Sequence, residues 1–148
     1  MIYPAKLTAI IAFFESLPEE ERRENLIAYS GQAKKHEPKP GERFDLKDLR
    51  KDEECTDTVG VFLRVDAKGR VHFCITLGPR VQTLTKAMAA ILCKGLEGSA
   101  LHEILALPAD FVPKIVGGQL VRIRSQTVYY ILTRMKEAAK VYLNRPRA

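Results

Sequence analysis

The sequence is poor in cysteine, and the three it has, Cys55, Cys74 and Cys93, form no CxxC pair. That excludes a disulfide framework and the ligand spacing of a zinc ribbon, and it fits a reducing compartment in which the thiols stay free. Long apolar runs are missing too. No uninterrupted stretch approaches the roughly 20 residues that a membrane-spanning helix needs, and the opening residues lack the basic start, apolar run and small-residue cleavage site of a secretory signal. The expectation is a cytoplasmic protein without membrane partners. Internal repeats and low-complexity segments are absent, as is any basic run interleaved with glycine or aromatic residues. The net charge of +6 therefore does not mark a nucleic-acid partner, because lysine and arginine are spread over the whole chain. What is present is 148 residues, 46% hydrophobic and 28% charged, enough for one compact domain, residues 1–148, with a full-sized core.

Periodicity orders the chain. Leu7, Ile10, Ile11 and Phe14 fall at helical spacing, so a helix is expected from Lys6 to Ser16. Ser16 and Glu19 form a capping-box pattern, and Pro18 is tolerated in a first turn. A second helix is therefore expected to run to about Lys35, with an acidic start at Glu19, Glu20 and Glu21 and a thin apolar face of Leu26, Ile27 and Ala33. From His36 to Glu54 the pattern gives way to prolines and mixed charge, a long loop ending in a short edge strand, with Phe44, Leu46 and Leu49 as anchors. Val59, Val61, Leu63 and Val65 then alternate, as do Val71, Phe73, Ile75 and Leu77 after Asp66-Ala67-Lys68-Gly69, which reads as a β-hairpin with one apolar face. His72 and Cys74 share the other face. Leu84, Ala87, Met88, Ile91, Leu92 and Leu96 make a helical stripe beside Cys93, stopped by Gly98. Ser99 can cap a short helix with Leu101, Ile104 and Leu105, and Phe111 follows in a proline-bounded segment. Val128, Ile131, Leu132, Met135, Ala139 and Tyr142 form the last stripe, with Arg122 and Arg124 near its start, where cations oppose the helix dipole. The fold class expected is α+β, a small antiparallel sheet covered mainly on one face by helices.

Cys55 differs from the other two thiols in its setting. It follows Asp52, Glu53 and Glu54 and precedes Asp57, in a polar stretch leading into the first strand of the hairpin, whereas Cys74 and Cys93 sit inside apolar patterns. A cysteine at a loop tip beside a rigid strand stays reachable. Four carboxylates around it raise the cost of a thiolate, so activation is expected to come from a partner's cationic groups. Packing explains Cys74 and Cys93 better than metal ligation with Cys55 does, since no two cysteines have ligand spacing.

Several pieces in shared order give this chain a family resemblance: Pro18-Glu19-Glu20-Glu21, Leu26-Ile27-Ala28-Tyr29-Ser30-Gly31-Gln32, the loop cysteine with its hairpin, Thr83-Leu84-Thr85-Lys86-Ala87, and Arg124-Ser125-Gln126. Over most of its length the chain resembles the SufE family of sulfur-acceptor proteins. The resemblance implies a SufE/IscU-like fold and places the acceptor cysteine on Cys55 and the arginine before the last helix on Arg124. It implies a pyridoxal-phosphate cysteine desulfurase (SufS-like) as the sulfur donor and an Fe–S scaffold as the downstream acceptor. The cofactor then belongs to the partner, and this chain is an accessory sulfurtransferase and desulfurase activator rather than a stand-alone enzyme. The alternative is a SufE-like binding or structural module without transfer activity. Glu54 stands where the family pattern has glycine, Asp57 where it has serine, and Gly60 where it has tryptophan. Glu54 and Asp57, with Arg124, are the residues expected to face the partner.

Overall fold

Alternation between residues 59 and 77 folds as the pattern predicts. In the computed structural model, which describes residues 2–51, 58–117 and 126–145, β2 (Thr58–Val65) and β3 (Val71–Leu77) pair antiparallel from Val59↔Leu77 to Val65↔Val71. Gly69 closes their turn at φ 77°, an angle open to glycine at no steric cost. Val59, Val61, Leu63, Phe73 and Ile75 are all buried on one face, so the register is the one the apolar pattern selects. The long loop does end in an edge strand. β1 (Leu46–Lys51) pairs antiparallel with β2 from Leu46↔Leu63 to Lys51↔Thr58, giving a sheet ordered β1-β2-β3.

Helices close over the core face. α3 (Thr83–Leu96) packs on β3, and α6 (Gln126–Asn144) packs on β1 and β2. Behind α3 lie α1 (Ala5–Glu15) and α2 (Glu19–Ser30), with α5 (Phe111–Val116) against both, while α4 (Leu101–Leu105) rests on α6. The fold is α+β, with a three-stranded antiparallel sheet covered mainly on one face by helices. On the other face Phe44, from the loop before β1, packs at a tilt against the buried Phe62, with ring centroids 5.3 Å apart. No helix among the described residues is long and apolar enough to cross a membrane.

α3 is more deeply buried than its stripe implies. Besides the predicted apolar positions, it buries Ala89, Ala90, Cys93 and Gly95, because α1 and α2 cover its back. Gly95 is where α1 comes closest: a Cβ there would lie 3.0 Å from Leu7 Cδ1, 3.2 Å from its Cβ and 3.3 Å from its Cα. Leu7 is fully buried and its backbone is helical, so it has nowhere to move. Gly95→Ala is thus expected to lower stability by roughly 1–2 kcal/mol, the overpacking strain exceeding alanine's helix-propensity gain of about 1 kcal/mol. Denaturant unfolding checks this, and a more stable variant would show that α1 can shift.

Four expectations need correction. The second helix stops at Ser30 rather than near Lys35, and after Gly31 the chain tightens into a short 3-10 turn over Ala33–His36. Glycine interrupts the helix, and the residues beyond it cover the edge of β3 instead of extending α2. The capping box also does not form: the Ser16 hydroxyl donates to the Phe13 carbonyl at 2.6 Å, finishing α1, and Pro18 stands at the N-cap of α2. Ile27, expected on the apolar face of the second helix, and Leu49, expected as a loop anchor, are 56% and 61% exposed. The N-cap of α4 is Ala100 rather than Ser99, with the Glu103 carboxylate accepting the Ala100 N–H at 3.0 Å.

Candidate functional site

Cys55, Glu54 and Asp57 belong to the six residues joining Lys51 to Thr58, and Arg124 to the stretch just before Gln126. All four lie outside the described residues. The frame on either side of them is described. Lys51 and Thr58 are partners across the β1–β2 ladder, so the chain leaves and re-enters the sheet at adjacent positions. Arg145, just past α6, approaches Asp45 just before β1 at 3.7 Å, and Arg134, about three turns earlier, meets Asp48 within β1. α6 therefore runs antiparallel to β1. Its first residue, Gln126, lies toward the same end of the sheet as Lys51 and Thr58.

Arg134 is the residue that sequence reading missed. It is 1% exposed on the sheet-facing side of α6. Its Nη1 donates to the Val59 carbonyl at 2.7 Å, Nη2 to the Asp48 carbonyl at 2.6 Å, and Nε to Asp48 Oδ2 at 3.2 Å; Nη2 also lies 3.2 Å from Oδ1. The Tyr130 ring sits 5.6 Å from the guanidinium carbon. One rigid, planar donor fork thus holds both strands that carry the Cys55 link. The available signal was an arginine three residues after Ile131 and next to Met135, inside the apolar stripe of the last helix.

The other two thiols are poor nucleophiles. Cys74, on the outer face of β3, is half buried, and its thiol is pushed up to about 11 by burial first and then by Glu42 and Glu97. Cys93 is buried in α3, where loss of solvation pushes its thiol far above the ordinary value. Thiolate, the reactive form, is scarce at both near neutral pH. Among the described residues no group of three or more His, Cys, Asp and Glu is placed to hold a metal ion.

His72 is a satisfied structural residue. Its Nε2 pairs with Asp66 Oδ2 at 2.9 Å and its Nδ1 with Glu97, so both ring nitrogens are taken up in tying the β2–β3 turn to the end of α3. The Asp66 carboxyl is held down at about 2 by the His72 hydrogen bond first, and by the backbone N–H groups of Arg70 and Lys68. Because its folded value lies below the ordinary 3.8, the stabilisation is complete above about pH 4 and disappears as pH falls toward about 2. The wild-type melting temperature is expected to drop more steeply across that interval than that of Asp66→Asn, an effect that added salt reduces. Calorimetry at low ionic strength measures it, and parallel curves would mean the pair contributes nothing.

Comparison with known proteins extends this geometry. The family model described as "SufE: Fe-S metabolism associated domain" matches residues 8–139. The chain also resembles the solution structure of a hypothetical protein from Thermus thermophilus, with 26% identity and a TM-score of 0.77 over 97% of this chain and 99% of that one. Among curated proteins it has no match. With most of the described α+β frame inside the matched span, including β1, β2, β3, α3 and the larger part of α6, the chain belongs to the SufE family, the Fe–S metabolism associated domain.

Proposed function

We propose that the chain is a sulfur carrier of Fe–S metabolism, in which Cys55 takes persulfide sulfur from a cysteine desulfurase and passes it to an Fe–S scaffold. The family match over residues 8–139 carries this reading. The two described thiols support its assignment to Cys55, since burial disfavours a thiolate at both. In the transfer step the Cys55 thiolate attacks the outer sulfur of the desulfurase persulfide. A new S–S bond forms at Cys55, the old one breaks, and the desulfurase cysteine leaves as a thiolate, so sulfur moves with no net redox change. The pyridoxal phosphate that releases sulfur from cysteine belongs to the desulfurase.

Activation comes from docking. Asp52, Glu53, Glu54 and Asp57 disfavour a thiolate in the free protein, and a basic desulfurase surface relieves that repulsion. Glu54 and Asp57 would then contact the partner, and Arg124, two residues before the first residue of α6, would either face the partner or hold the acidic link. Intact-mass analysis after incubation with desulfurase and cysteine tests the reading: the chain should gain the mass of one sulfur, located at Cys55. The same four carboxylates favour a second reading, a SufE-like binding module without transfer. That reading predicts desulfurase binding with no gain in mass.

A further inference from the structure

We propose that Arg134 is a positioning residue for sulfur transfer, fixing the ends of β1 and β2 that border the Cys55 link in sequence by binding Asp48 and Val59 to α6. The inference rests on the carrier reading of Cys55 and adds a residue that the family motifs do not supply.

Stability alone explains Arg134 poorly. It occupies a position in the apolar stripe of α6 where an uncharged side chain of similar volume would pack, and a buried ion pair is often no more stabilising than such a replacement. What the guanidinium provides is orientation. Its hydrogen bonds all end on β1 and β2: two on backbone carbonyls, one from each strand, and one on the Asp48 carboxylate. Among the described residues β1 is an edge strand, paired with β2 alone. Among the described residues, ties from its neighbourhood to α6 include Arg134 to Asp48 and, at the far end, Arg145 to Asp45. Arg134 is the one nearer the Lys51↔Thr58 rung. Only six residues link that rung's two members, so a slip or splay of β1 there moves an anchor of the segment to which Cys55 belongs in sequence. A reacting group misplaced by about 1 Å can lose roughly a hundredfold in rate.

The test compares Arg134→Met, Arg134→Lys and, as a stability control away from the hairpin, Ile115→Ala in α5, all under conditions where each is folded by circular dichroism. Two quantities are read: the rate of Cys55 alkylation by iodoacetamide from about pH 6 to about pH 9 in the free protein, and sulfur uptake at Cys55 with desulfurase and cysteine. Arg134→Met is expected to shift the alkylation profile and to lower uptake per folded molecule roughly tenfold or more. Arg134→Lys should recover part of both, and Ile115→Ala should match wild type in both. A wild-type profile with wild-type uptake in Arg134→Met overturns the positioning role. If wild type takes up no sulfur at Cys55, the carrier reading fails, and the alkylation profile alone decides the role of Arg134: a shift supports it and an unchanged profile overturns it.

Discussion

Cys55→Ser is expected to abolish sulfur uptake, while Cys74→Ser and Cys93→Ala each retain it. The difference follows from solvation. A thiol reacts through its thiolate, and burial in β3 pushes Cys74 up to about 11, leaving on the order of one part in ten thousand ionised at pH 7. Cys93, enclosed in α3, is less ionised still. Persulfide mass mapped to individual peptides after incubation with desulfurase and cysteine reads the outcome. Uptake surviving in Cys55→Ser, or label appearing first on Cys74 or Cys93, would overturn the carrier mechanism. Free protein should also alkylate slowly at Cys55 near neutral pH and faster once desulfurase is bound, because the four neighbouring carboxylates oppose ionisation until a cationic surface faces them.

Phe73→Ala should cost about 3–5 kcal/mol of folding stability, the usual range for removing a buried aromatic ring. Phe73 is 3% exposed at the centre of the core face, paired across the ladder with the fully buried Leu63. Urea unfolding with an unchanged slope would measure the loss. A near-neutral result would mean that the helices do not pack on that face. Sulfur uptake per folded molecule should be preserved, since Phe73 lies in β3, two strands from β1. Stability and transfer would then be seen to depend on different parts of one sheet.

Much of this frame is legible in the sequence because it depends on local periodicity. The hairpin needs only alternation and a glycine turn, and the stripes of α1, α3 and α6 need only helical spacing. The end of α2 was missed because the basic residues after Gly31 suit a helix terminus, yet that stretch turns to cover β3. The Arg134 to Asp48 contact joins residues 86 apart, and no local pattern announces it. Read alone, Asp48 is one more charge in a polar loop and Arg134 an interruption in a stripe. Family resemblance marked Cys55 and Arg124 by motif, but the clamp on the hairpin base belongs to this chain's own packing and became visible only in three dimensions.

That separation also bears on the order of biosynthesis. A nascent chain can pair β1, β2 and β3 soon after Leu77 emerges, because those contacts are short in sequence. The guanidinium that bonds Asp48 and Val59 arrives only with α6, 86 residues after Asp48. Between those moments the arginine that Asp48 faces in the finished fold has yet to be made. Docking of α6 then follows the pairing of the strands, and it is the step that ties β1 to β2 through Arg134. Until α6 docks, the strands on either side of residues 52–57 lack the ties from Arg134, and on the proposed reading sulfur transfer would be impaired until those ties form.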